Sequence, residues 1–102
     1  MRVRFHPAAA AAAEVERAQA WYEERSILAA AGFLQELTRA VQRIRGAPER
    51  YPAAEHGTRR VVLEQFPFAA FYVVRRDEVF IVAVAHHKRR PGYWAARTRS
   101  SE

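Results

Sequence analysis

Hydrophobic and polar positions change their period along the 102-residue chain, and the changes mark its elements. VRFH (3–6) alternates Val3 and Phe5 with polar residues, the period-two signature of a short strand. Pro7 fits the first turn of a helix, where its missing N–H costs nothing. Ala8 to Glu24 is rich in strong helix formers. Ala11, Val15, Ala18 and Tyr22 recur there at 4-3-4 spacing, with Trp21 beside them, so the alanine run reads as a close-packing helix face. The pattern breaks near Arg25-Ser26, and Ser26 suits the N-cap of a second helix. Leu34, Leu37, Val41 and Ile44 then repeat at 3-4-3 spacing, with Ile27 and Phe33 widening the stripe. Arg39, Arg43 and Arg45 crowd the last turns, where cations suit the negative end of the helix dipole. Gly46 and Pro48 stop the helix. Two long helices with a short break between them predict an antiparallel hairpin.

After the loop PERYPAAEHG (48–57) the period returns to two. RRVVLEQF (59–66), PFAAFYVVRR (67–76) and VFIVAVAHH (79–87) are the strand candidates, with Asp77-Glu78 as the turn between the last two. Pro67 opens its strand, where no N–H is needed. Strict alternation puts Phe68, Ala70, Tyr72 and Val74 on one face and Ala69, Phe71 and Val73 on the other. On the last strand it sets Ile81, Ala83 and Ala85 against Phe80, Val82 and Val84. Both faces are therefore apolar, whereas a sheet with one wet face alternates apolar with polar. The helical hairpin covers one face. The second needs the C-terminal segment or a partner chain.

Length and composition narrow the class. The chain is the size of one small domain, with half its residues hydrophobic and no cysteine. Disulfides and thiolate metal sites are excluded, and a reducing compartment is natural. No apolar run approaches the length of a bilayer span. MRVRFHPAAAAAA lacks the bulky apolar stretch of a signal peptide, so the expected location is cytoplasmic. The net charge of +6 is uneven. Residues 1–58 carry 8 Arg and 7 Glu, a net of +1, while residues 59–102 carry 9 basic and 4 acidic side chains, a net of +5. An anionic partner would be met in that second half. Of the 17 basic residues 16 are arginine, the side chain that grips phosphate or carboxylate with two bonds. Coding bias accounts for a preference for arginine equally well, but not for the asymmetry.

The candidate chemistry gathers in AVAHHKRRPGYWAAR (83–97). His86 and His87 end the last strand and point to opposite faces. An imidazole there serves as general acid or base, or merely ends the strand. Adjacent strand histidines chelate one metal poorly, and His6 and His56 are distant in sequence, so no metal is expected. Lys88, Arg89 and Arg90 follow, and with Arg59, Arg60, Arg75, Arg76 and Arg97 they would make one positive surface. The same residues equally well solvate strand ends and block edge pairing. Trp94 is read as packing back onto the sheet. Tyr93 offers a hydroxyl to a phosphate or substrate, or a ring for a base to stack on. No Gly-rich phosphate loop, HExxH or Ser-His-Asp order is present, and Asp77 is the chain's one aspartate, so no cofactor and no two-carboxylate mechanism is expected.

Taken in order, these pieces resemble the ParE/RelE superfamily of toxins from bacterial type II toxin–antitoxin systems, which includes the plasmid stabilisation proteins. VRFHPAAAAAAEVERAQAWYEER is similar to the family's opening strand and first helix. FLQELTRAVQRIRGAPERYP is similar to its second helix with the P-x-x-[YF]-P ending. RRVVLEQFPFAAFYVVRRDEVFIVAVAHHKRRPGYWAAR carries the FPF-x-x-x-Y element and the H-x-x-R-x-P-x-x-W ending of the closing hairpin.

The resemblance implies an α+β fold: an N-terminal strand, an antiparallel helical hairpin on an antiparallel sheet, and a short C-terminal helical tail. One domain over 1–97 is expected, with 98–102 a disordered tail. The implied activity is growth arrest relieved by a small antitoxin, often acidic, which would fold onto the positive, partly apolar surface as a toxin–antitoxin hetero-oligomer. ParE-like members inhibit DNA gyrase and need no catalytic set. RelE-like members cleave mRNA on the ribosome. For that chemistry His86 would be acid or base, Arg59, Arg60 and Arg89 electrostatic clamps, and Tyr93 a stacker or hydroxyl donor. Arg59, Arg60, Lys88, Arg90 and Arg97 are candidates for contact with nucleic acid or with a protein target. FPFAAFYVV and the H-x-x-R ending look closer to ParE-like members, and Lys88 is the only lysine. A diverged binding domain that keeps the fold without toxicity is the remaining reading.

Overall fold

The alternation at the N-terminus forms strand β1 (Arg2–Phe5). The alanine-rich stretch forms helix α1 (Ala10–Glu23), and the next apolar stripe helix α2 (Ile27–Gly46). Strands β2 (Arg59–Val62), β3 (Phe68–Arg75) and β4 (Glu78–His86) and a short helix α3 (Ala95–Arg99) complete the chain. The structure is a computed structural model that describes residues 1–6 and 10–99. Pro7, the predicted helix start at Ala8 and the end of the predicted tail, Ser100–Glu102, lie outside the described residues. Within that tail Thr98 and Arg99 belong to α3.

The class is α+β, with four strands in the order β1-β4-β3-β2. β2, β3 and β4 are antiparallel, as expected, but β1 joins β4 in parallel, which makes the sheet mixed. A parallel pair needs a long crossover, and the helical hairpin and the first two legs of the sheet supply it. Arg2 and Arg4 brace this pair through Glu78 at 3.4 and 3.8 Å. The β3–β4 turn sits one residue earlier than predicted, on Arg76 and Asp77. Both have positive φ, 52° and 66°, as a two-residue hairpin of right-handed twist requires.

α2 is rotated by about one position from the predicted stripe. Ser26 caps it as expected, its Oγ accepting from the Ala29 N–H at 3.1 Å. The buried line, however, is Ala30, Phe33, Leu37, Ala40 and Ile44. Leu34 lies on the flank, and Ile27 and Leu28 at the hairpin tip are 79% and 84% exposed.

β2 ends at Val62, four residues short of its predicted end at Phe66. Leu63 to Pro67 instead turn, because buried Glu36 of α2 takes their backbone donors. Its carboxylate accepts from the N–H groups of Glu64 and of Gln65, the latter at 3.1 Å. The PERYP loop is stapled to the sheet in a similar way. The Tyr72 hydroxyl donates to the Pro48 carbonyl, Arg59 donates to that of Tyr51, and the Arg60 N–H donates to that of Pro52 at 3.2 Å.

The core has two layers. Toward the helices Phe33, Leu37 and Ile44 pack with Phe68, Tyr72, Val79, Ile81 and Val84. On the far face Trp94 packs with Phe71, Val73, Phe80, Val82 and Ala83. The C-terminal segment thus covers part of the second face, as the sequence required. Trp94 is 1% exposed, its ring 4.6 Å from Phe71 and 5.7 Å from His56. Gly92 makes this return possible, its φ of +74° lying in the left-handed region that side chains rarely adopt.

Candidate functional site

The site begins with an irregularity in β4. Phe71 pairs with Ala83 and Tyr72 with Ile81, so Val82 is an extra residue in the ladder. Strict alternation, which put Val84 with Phe80 and Val82, therefore fails. Val82 and Ala83 both pack on the Trp94 side, and Val84 returns to the helix side. A bulge shifts every later side chain by one face. His86 consequently lies on the helix side, directly across from Phe68, their rings 5.1 Å apart and edge-on.

The bulge coincides with an open edge. β1 accompanies β4 only as far as Ile81, whose carbonyl accepts from the His6 N–H at 2.9 Å. Beyond it two side chains take the strand's place. Glu14, buried on α1, accepts the Val84 N–H at 2.9 Å. Arg97 donates to the Val82 carbonyl at 2.8 Å and forms two bonds with the Glu14 carboxylate, each 3.1 Å. The Tyr93 hydroxyl also donates to Glu14. Burial, together with the bond to Glu14 and its negative charge, pushes the Tyr93 phenol up to about 12, against the opposing pull of Arg89 and Arg97. Arg89 lies over the Tyr93 ring at 3.8 Å.

Two grooves flank this cluster. The first, about 380 Å³, runs between α1 and the ends of β3 and β4. Ala18, Tyr22, Phe68 and Val84 contribute its apolar lining, with Trp21 exposed beside them. Arg17, His86 and Arg89 are its cationic groups, and the one acid lining it, Glu14, is engaged with Arg97 and Tyr93. The second groove, about 340 Å³, lies on the other face between the 55–57 turn and the HKRRPGYW loop. Arg60, His87 and Arg90 join His86, Arg89 and Tyr93 there, facing Glu55.

The fold thus brings His86, Arg89 and Tyr93 together, with Arg60 and Arg90 nearby. Lys88 is exposed but lines neither groove. Arg59 is engaged with the Tyr51 carbonyl and Arg97 with Glu14, and neither lines a groove. Arg75 donates to its neighbour's carbonyl, that of Val74, at 3.0 Å, and Arg76 occupies the hairpin turn. The His86 Nδ1 accepts from the Lys88 N–H at 3.0 Å, which puts the proton of the neutral ring on Nε2. Among the described residues no group of three or more His, Asp or Glu side chains is placed to hold a metal. Glu14 and Arg17 belong to the site without being singled out by the sequence pattern. The available signal was Glu14's position, three residues after Ala11 and four before Ala18, a carboxylate on a face otherwise meant for burial.

A helical hairpin on a four-stranded mixed sheet with a basic C-terminal return defines a small α+β protein. The profile described as "ParE toxin of type II toxin-antitoxin system, parDE" matches residues 3–91, so the chain belongs to the ParE toxin family. Among solved structures it is similar to one titled "Chromosomal ParDE TA system from P. aeruginosa", with a TM-score of 0.72 and 21% identity, covering 84% of this chain and 95% of that one. At that identity the likeness is one of fold. A search of curated proteins finds no match.

Proposed function

We propose that this chain is the toxin of a type II pair, that it arrests growth by inhibiting DNA gyrase, and that a cognate antitoxin neutralises it. The observation that carries the reading is the family match over residues 3–91. The site supports its non-enzymatic branch. RNA cleavage needs a base, an acid and cations at the phosphate. Tyr93 is held as a donor to Glu14, so its hydroxyl is not offered to a substrate, and Arg59, one of the three clamps, is engaged with the Tyr51 carbonyl. The first groove fits the antitoxin: its apolar lining and cations suit an acidic segment with apolar anchors. The proposed setting is the cytoplasm. No described helix is long and apolar enough to cross a membrane.

The second reading, a ribosome-dependent mRNA endonuclease, is favoured by the second groove, where Arg60, His86, Arg89 and Arg90 converge. Inducible expression with transcript-end mapping separates the two. Growth should stop without new mRNA ends, and co-expression of the adjacent partner gene should restore it. If growth is unaffected, the toxin reading fails. mRNA cuts that vanish in His86→Ala and Arg89→Ala would replace gyrase inhibition with the nuclease.

A further inference from the structure

We infer that Glu14 is the positioning residue of the first groove: its carboxylate sets where His86 and Arg89 stand. Three parts of the chain meet on this group. α1 supplies it, β4 donates the Val84 N–H at 2.9 Å, and the C-terminal segment donates the Tyr93 hydroxyl and two Arg97 bonds of 3.1 Å. A carboxylate offers about four acceptor sites, and these four donors fill them, so Glu14 has none left for a ligand. With Arg97 on the Val82 carbonyl, the pair holds the backbone groups on either side of the bulge, on the edge of β4 that its pairing with β1 no longer covers.

Both consequences reach the groove. Holding the bulge keeps Val84 on the helix side, and two residues later His86 with it, beside Phe68. Holding the Tyr93 hydroxyl fixes the ring on which Arg89 lies at 3.8 Å. Arg89 is itself exposed, and that ring is what gives its guanidinium a direction. The two groups best able to meet an anionic partner thus owe their placement to a residue 72 and 75 positions earlier, which does not itself meet the partner. The effect on toxicity rests on the toxin reading, but the placement does not.

The test is a pH titration of the chain labelled with ¹³C at tyrosine Cζ, with the Arg89 side-chain shifts read alongside. In Glu14→Gln the Tyr93 resonance should titrate about one unit or more below its wild-type value, as the charge and its bond are lost. The upfield shift that the Tyr93 ring imposes on Arg89 should collapse. Glu14→Asp, which keeps the charge, should recover part of the titration. Tyr93→Phe keeps the ring and the Glu14–Arg97 pair, yet should lose the Arg89 shift, and it carries the test if Glu14→Gln does not fold. Unchanged Arg89 shifts in either folded variant overturn the inference, since a residue that only adds stability would leave them in place. Growth arrest is scored separately. A wild-type chain that does not arrest growth counts against the toxin reading while the resonances still decide the placement.

Discussion

At the scale of single residues, the Glu14–Arg97 pair is costly to disturb. Removing Arg97 leaves the buried Glu14 charge uncompensated, but Arg97 itself is half-buried, so Arg97→Ala should lose about 2–3 kcal/mol in urea unfolding, less than a fully buried pair would. Glu14→Met combined with Arg97→Met should lose less than the two single changes summed, because both charges leave together, with the remaining loss coming from the Val84 N–H and Val82 carbonyl left without partners. His6 supplies a pH dependence. Burial and then the Arg97 charge hold its pKa below 6.5. The unfolded chain therefore takes up a proton that the folded chain refuses. Stability should be complete above about pH 6.5 and decline as pH falls from there through the folded value. Urea midpoints at pH 7.5 and 5.5 should show this drop, and His6→Phe should flatten the contribution. Legibility at this scale followed distance along the chain. The Ser26 cap bonds three residues away and was readable, and Trp94's return was implied by a sheet with two apolar faces. Glu14 and Arg97 are 83 residues apart, and no local pattern joins them.

At the scale of elements, the order of the two long helices and the four strands was legible from period, because amphipathic faces must be buried, whereas the short α3 came with the resemblance. What was not legible was where a regular element stops being regular. β2 looked eight residues long, but Glu36 of α2 diverts the chain at Leu63 to Pro67. β4 looked evenly alternating, but Val82 bulges and reverses the face of Val84. In both cases a buried carboxylate on a helix binds strand or turn N–H groups. The Arg76–Asp77 turn yields a prediction of its own. Both residues sit at positive φ, where a side chain costs about 1–2 kcal/mol and glycine costs little. Asn at 76 with Gly at 77 should raise the thermal midpoint without altering the site. Ser26→Ala should lower it, by roughly 1 kcal/mol of stability.

At the scale of the whole molecule, the charge asymmetry acquires a location. Of the +5 carried by residues 59–102, Arg97 is neutralised by Glu14, while Arg60, Lys88, Arg89 and Arg90 stand exposed around the two grooves without an ion pair among the described residues. A partner that reads this surface should bind less tightly as salt rises, because exposed charges are screened within about 10 Å at 0.1 M. The apolar lining of the first groove should keep a salt-insensitive remainder. Titrating the antitoxin onto the chain at two ionic strengths would separate the parts. The central claim is that toxicity acts through a protein target and not through RNA chemistry. The direct measurement is DNA supercoiling by purified gyrase as the purified chain is added. The account predicts dose-dependent loss of supercoiling, reversed by the antitoxin and weakened in Arg89→Ala. Full supercoiling in the presence of a folded chain that arrests growth in cells would contradict it.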